Sequence, residues 1–198
     1  MVKDFIVNGS INLIKGENKY NSTELEEIRY GIESLYLALS KVIVILTISA
    51  ILGLFKISII FLIMFNILRA FAFGLHASKS IWCWISSSIS FICIPAICNL
   101  FNFHILFFII SSIICLISFM LFAPADTIKR PLINANKRKK YKIISVFLAI
   151  IYIIFIFIIN NSLIKNMLMF ALILETILIL PITYKLFKLP YNNYKNYQ

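Results

Sequence analysis

The chain has 198 residues, 61% of them hydrophobic and 14% charged, with mean hydropathy +0.95. Soluble domains run at roughly 45–50% apolar and about 25% charged, so no soluble core can absorb this excess, and the length suits one polytopic membrane domain, residues 1–198. Net charge is +11, but the basic residues cluster between hydrophobic runs, as cytoplasmic loops do, and are not spread as a nucleic-acid face requires.

Residues 1–36 are a polar N-terminal region. The stretch 1–21 holds Asp4, Glu17 and several Asn and lacks a clean apolar h-region, so no cleavable signal peptide is expected. Residues 2–14 predict a weak surface helix through Val2, Phe5, Ile6, Ile11, Leu13 and Ile14. From Thr23 onward, Leu25, Ile28, Ile32, Leu35 and Leu39 follow helical spacing with one apolar face. Thr23 and Glu26 stand in capping-box relation. The pattern predicts an amphipathic helix near the membrane surface that runs into the first span, and a plain interfacial anchor explains it equally well.

Six hydrophobic runs follow, at about 37–55, 57–74, 80–99, 104–122, 143–160 and 163–184. Each is close to the roughly 20 residues that cross a bilayer core as a helix. The fold class is therefore an all-α membrane protein: about six transmembrane helices in a core spanning 37–184, preceded by the amphipathic segment. The second run is short and carries Arg69, which makes it the weakest span.

Charge sets the expected orientation. With the N-terminus inside, the inner segments hold Lys3, Lys15, Lys19, Arg29, Lys41, Arg69, Lys79, the cluster Lys129 to Lys142, Lys185, Lys188 and Lys195. The outer loops hold only Lys56 and Lys165. That is the positive-inside pattern, and it puts both termini and the segment between the second and third runs in the cytoplasm. The loop 123–142 carries seven basic residues against one acid, Asp126. Its bland role is topology and attraction to anionic lipid, worth about 1 kcal/mol per basic side chain near the surface. Its sharper role is docking of an acidic peptide by Lys129, Arg130, Lys137, Arg138, Lys139 and Lys140.

The chemistry-bearing interruption is Gly74-Leu75-His76-Ala77-Ser78-Lys79-Ser80-Ile81-Trp82-Cys83. An imidazole and a thiol are the minimum equipment for thiolate attack on a peptide bond. On one unbroken helix, seven residues would separate them by about 10.5 Å along the axis. The pair works only if the chain turns between them, which Gly74 permits. With Ser80 as a cap, Cys83 falls in the first turn of a new helix, where the amide dipole favours a thiolate and Lys79 adds positive charge. By spacing alone, a packing cysteine beside an interfacial histidine fits as well.

Two charges inside spans add to this. Glu175 lies mid-run, at a depth where a charge costs about 2.5–3.5 kcal/mol even on the lenient insertion scale. Arg69 has the same problem with the opposite sign. Either the two approach each other, or Glu175 polarises the His76 ring, or Glu175 is an ordinary hydrogen-bonding residue between helices. Cys93, Cys98 and Cys115 lie in apolar runs and read as packing residues. No C-x-x-C pair exists, so neither a disulfide framework nor a metal site is expected, and no cofactor is implied.

Arg69-Ala70-Phe71-Ala72-Phe73-Gly74-Leu75-His76-Ala77, then Cys83 after six residues, resembles the signature of the accessory gene regulator B family, membrane cysteine endopeptidases of Gram-positive bacteria. Ala123-Pro124-Ala125 with Lys129-Arg130-Pro131-Leu132 and a basic run is similar to that family's central loop. Glu175 with Leu180-Pro181 is similar to its last span. The likeness implies a quorum-sensing role in the cell membrane. Cys83 would be nucleophile and His76 general base, cutting a pheromone propeptide before its charged C-terminal tail. The acyl-enzyme thioester would then resolve to a cyclic thiolactone or lactone. The likeness also implies a homodimer. Leu75, Phe71 and Phe73 make this turn greasier than the family's polar versions, and no Asp or Asn downstream suggests a ring orienter, so a dyad is expected. The rival from the residues themselves is a small transporter with Arg69 and Glu175 in a polar path.

Overall fold

The structure, a computed structural model, describes residues 7–11, 14, 21–75, 80–127 and 131–197, with the backbone alone at 22–23, 27, 30, 34, 80–83 and 196–197. The described residues form helices joined by short connections: α1 Ser22–Ile51, α2 Phe55–Ala72, α3 Ser80–Leu100, α4 Ile105–Phe122, α5 Ala135–Ile158, α6 Ser162–Ile179 and the short α7 Pro181–Leu186, followed by a 3₁₀ turn at Asn193–Tyr197. Five of them, α1, α2, α4, α5 and α6, are long and apolar enough to cross a bilayer, and α3 adds the shorter apolar stretch Trp84–Leu100. The all-helical membrane architecture follows, with five clear spans where about six were expected.

The chain divides into two compact units, Met1–Ile48 and Ser49–Gln198. In the first, α1 is continuous from the amphipathic segment into the first apolar run. Its entry differs from the expected Thr23–Glu26 box. The helix starts at Ser22, and the Asn21 amide donates to Glu24 Oε2 at 2.8 Å. That is the glutamate half of a capping box, placed two residues earlier, so Thr23 falls inside the helix. Residues 7–11 are helical, and Arg29 Nη2 donates to Asn8 Oδ1 at 3.3 Å.

The second unit is a bundle built around α6, which contacts α2, α3, α4 and α5. Half of α6 (50%) is buried, against 28% of α2, 28% of α4 and 22% of α5. Its sequence explains the central place: Asn166, Met167, Leu168, Met169, Ala171, Leu172, Glu175, Thr176 and Ile179 are all buried, on every side of the helix. The outer helices turn Ile109, Ile110, Ile113, Ile114 and Ile117 of α4, and Ile143, Phe147 and Ile154 of α5, outward. An apolar surface of that extent calls for lipid around it. Polar side chains stitch the helices: Tyr152 donates to Met64 O at 2.8 Å, and Asn166 Nδ2 donates to Cys98 O at 3.1 Å and Phe101 O at 2.8 Å at the end of α3.

Two run edges move relative to the sequence reading. The basic run Lys137 to Lys142 is the start of α5 and not loop, because Asn134 Oδ1 accepts from the amides of Asn136 and Lys137 and caps the helix there. The last run breaks at Leu180 (φ −66, ψ 134), where Pro181 forbids continuation and opens α7 as its first residue.

Candidate functional site

The α2–α3 and α4–α5 connections and the chain after α6 meet at one end of the bundle. The second apolar run stops as a helix at Ala72. Phe73 takes φ 63 and Gly74 φ 91, so the backbone turns sharply before it reaches His76. A phenylalanine in the left-handed region is strained by about 1–3 kcal/mol and persists only where its surroundings hold it. Here they do. Phe73 bridges to Ala125; the Gly74 amide donates to Ala125 O at 2.8 Å, the Ala125 amide to Ala72 O at 2.9 Å, and the Leu75 amide to Leu178 O at 2.8 Å. The Phe73 ring meets Tyr141 edge-on at 5.1 Å.

Arg69 closes the turn from inside. Its Nη2 donates to Gly74 O at 3.2 Å and to Leu75 O, while Nη1 lies 3.5 Å from Glu175 Oε2. The arginine is 20% exposed and the glutamate fully buried. The structure thus brings Arg69 and Glu175 together, one from α2 and one from α6, and uses the cation to hold the two carbonyls just before His76. The other glutamate oxygen, Oε1, has no hydrogen-bond partner among the described residues. Breaking such a pair from one side costs about 3–5 kcal/mol, because a buried charge is left uncompensated. Arg69→Met is therefore expected to lower the melting temperature of the purified protein by several degrees. Arg69→Met with Glu175→Met should regain most of that stability, since two apolar side chains replace two charges. Amide hydrogen exchange at Gly74 and Leu75 should stay fast in the double variant, because nothing then holds the two carbonyls from inside the turn. Recovery of both stability and slow exchange would show that the pair serves packing only.

The remaining sequence candidates fall as follows. His76 and Lys79 lie outside the described residues, and so do Lys129 and Arg130. Cys83 lies at the start of α3, with its side chain outside the described residues. Lys137, Lys139 and Lys140 are exposed on the first turns of α5. Arg138 is half-buried and stacks over the Tyr194 ring at 3.7 Å. Cys98 and Cys115 are buried in the core, but Cys93 is exposed on α3, so packing does not account for it. His104 caps α4 by accepting from the Leu106 amide at 3.3 Å. A cavity of about 160 Å³ lined by Asn102, Phe103, Asn160 and Lys165 lies at the opposite end of the bundle and has no part in this site.

Two residues of the site carry roles that the sequence alone does not assign. Tyr184, on α7, donates to Ala125 O at 3.2 Å and Asp126 O at 3.1 Å. Asp126 is 2% exposed, and its carboxylate accepts from the amides of Asn193, Tyr194 and Leu132 at 2.9, 2.8 and 3.4 Å. Burial pushes the Tyr184 hydroxyl up from its ordinary value, with the Arg69 charge opposing, and pushes Tyr191 up to about 12 with help from the Asp126 charge. Both phenols therefore stay protonated and remain donors at any working pH. The signal for Asp126 was present in the sequence: it is the one acid in a loop of seven basic residues.

The family model for accessory gene regulator B matches residues 7–179. An AgrB-like protein of Clostridium acetobutylicum is 33% identical over 180 residues, covering 91% of this chain and 86% of that one. An AgrB-like protein of Listeria innocua is 30% identical, covering 87% and 84%. The accessory gene regulator protein B of Staphylococcus aureus is 32% identical over 170 residues, covering 85% and 88%. No solved structure matches the chain. With the family match running from residue 7 through the end of α6 and relatives aligned nearly end to end, the chain belongs to the accessory gene regulator B family.

Proposed function

We propose that this protein is a membrane cysteine endopeptidase that cleaves the C-terminal tail from a pheromone propeptide and hands the signal core on as a macrocycle. The observation that carries the reading is the pinned turn. A strained backbone at Phe73 and Gly74, held from α2, α6 and the 123–126 loop, leads straight into His76. Backbone strain fixed by so many bonds suits a residue that must be presented to a reacting partner. Cys83 follows at the start of α3, where the helix dipole stabilises a thiolate.

In this mechanism His76 takes the proton from the Cys83 thiol, and the sulfur attacks the scissile carbonyl. The imidazolium returns the proton to the leaving amine, and the acidic tail departs. The core remains as a thioester on Cys83. A thiol or hydroxyl within the bound peptide then attacks that thioester, closes the ring and frees the Cys83 sulfur. Arg69 holds the turn, and Glu175 holds Arg69; the pair is engaged with itself and with backbone carbonyls, which speaks for positioning over a polar transport path. Both termini and this site face the cytoplasm in our reading, on the strength of the charge distribution.

The basic start of α5 supports an acidic partner. Lys137, Lys139, Lys140 and Lys142 are exposed at the positive end of the helix dipole, and no acid stands in the first turn. Lys137, in the first turn, is disfavoured there by about 0.3–1 kcal/mol, and the exposed Lys139, Lys140 and Lys142 gain nothing from the helix, so the cluster serves something other than the helix. The propeptide's charged tail, with Lys129 and Arg130 joining the cluster, fits that need, as do anionic lipid headgroups. Two copies are expected to work as a homodimer.

The test is to trap the intermediate. Purified protein in anionic liposomes is mixed with its propeptide, quenched in acid and analysed by mass spectrometry. The expected product is an adduct with the mass of the signal core on Cys83, released by neutral hydroxylamine. Cleavage without any such adduct, in a rapid-quench series, would overturn the covalent route.

A further inference from the structure

We infer that Asp126 is a positioning residue, and that through it the C-terminal tail of the chain sets the geometry of the turn preceding His76. The inference rests on the proposed peptidase reading for its functional half, and on a continuous chain of bonds for its structural half. Its outer link is the tail. The Asn193 amide donates to Asp126 Oδ1 at 2.9 Å and the Tyr194 amide to Oδ2 at 2.8 Å. These amides open the 3₁₀ turn Asn193–Tyr197, so Asp126 acts as its cap from a residue far away in sequence. The Asn193 side chain fixes the same spot, donating to Asp126 O at 3.5 Å and Pro190 O at 3.0 Å. Arg138 packs over the Tyr194 ring at 3.7 Å and donates to Leu132 O at 3.2 Å, which closes the clasp from the α5 side.

The inner link is the neighbour of Asp126. Ala125 exchanges bonds with the turn on both sides: its amide donates to Ala72 O at 2.9 Å and its carbonyl accepts from Gly74 at 2.8 Å. Tyr184 donates to the carbonyls of both Ala125 and Asp126 and keeps the loop flat against α7. Phe73 and Gly74 adopt conformations that would relax if Ala125 withdrew. A buried carboxylate bound by backbone amides, with no lysine or arginine at its oxygens among the described residues, is a costly choice for a surface loop. It is understandable if the loop has to be held in one place.

The test uses the full chain, purified in liposomes, as wild type, Asp126→Ala and Asp126→Asn. Asparagine keeps one acceptor and points a donor at the other amide, so it loosens the clasp with less damage and serves if the alanine variant fails to fold. Two readouts are taken. Amide hydrogen exchange over residues 70–76 reports the turn without reference to activity. Propeptide cleavage gives kcat and KM. The expected result is at least tenfold faster exchange at Gly74 together with a tenfold or larger fall in kcat, KM changing less than threefold. Unchanged exchange at Gly74 would overturn the link from tail to turn. Faster exchange with unaltered kcat, or a rise in KM alone, would overturn the positioning role. Failure of the wild type to cleave the propeptide would sink the peptidase reading instead; the exchange data would still decide whether Asp126 holds the turn.

Discussion

Cys83→Ala is expected to abolish propeptide cleavage, and His76→Ala to reduce it by about 10²–10⁴-fold, while both variants insert in the membrane and melt as the wild type does. The two losses differ in kind. Removing the sulfur removes the only atom proposed to bond the scissile carbonyl, so no condition restores turnover. Removing the imidazole leaves a thiol that must ionise unaided. A free thiol does so near pH ~8.5, so the residual rate of His76→Ala should climb between pH 7 and 9. The sign follows from the reactive species: the thiolate is the nucleophile, and raising pH increases its fraction. The rise should stay well short of wild type, because the leaving amine still lacks a proton donor. Cleavage assays on proteoliposomes across that pH range, with tail release read by chromatography, check this directly. Cleavage by Cys83→Ala at a rate near wild type would end the proposal. A flat pH profile for His76→Ala would remove the general-base role but leave the nucleophile standing.

Much of this architecture can be read from residue order because lipid imposes strict terms. Apolar runs near 20 residues predict spans, and five of the six runs coincide with helices long and apolar enough to cross a bilayer. Arg69 and Glu175 stood out because charge inside an apolar run demands a partner, and the partner of each proved to be the other, at 3.5 Å. Gly74 takes a positive φ and turns the backbone ahead of His76, whereas the expected turn between His76 and Cys83 lies outside the described residues. What escaped the reading has a common cause. Asp126, Tyr184, Asn193 and Leu178 act through backbone amides and carbonyls far away in the chain. A backbone amide looks the same at every residue, so no pattern of side chains announces which one a carboxylate will hold. Helix edges differ from run edges for a similar reason. Hydropathy marks where lipid begins, whereas helix starts are set by single caps such as Asn134 and Asn161. Hence α5 begins at Ala135, ahead of the basic run and well before the apolar run that starts at Ile143.

Gly74→Ala is expected to cost at least about 10²-fold in kcat, and the reason can be separated from glycine's general tolerance of positive φ. A Cβ at residue 74 would stand 2.5 Å from Arg69 Nη1, 3.0 Å from Leu178 O and 3.2 Å from Leu178 C. The guanidinium could swing away, but only by releasing the carbonyls of Gly74 and Leu75 and its contact with Glu175. The Leu178 backbone cannot yield, since α6 is the buried centre of the bundle and Leu178 O already accepts the Leu75 amide at 2.8 Å. The turn itself must move, and a displacement of about 1 Å at a reacting group is enough for a hundredfold loss. Gly53 supplies the control. It also has positive φ (70), yet a Cβ there meets nothing within 4 Å. Gly53→Ala therefore carries only the left-handed penalty of about 1–2 kcal/mol, as a small drop in melting temperature with kcat unaltered. The pair of variants, assayed side by side for thermal stability and cleavage, divides strain from collision. If both lose activity alike, left-handed strain alone explains Gly74 and the tight seat between Arg69 and Leu178 has no catalytic consequence. If Gly74→Ala alone fails, the close approach of the turn to α6 is what cleavage depends on.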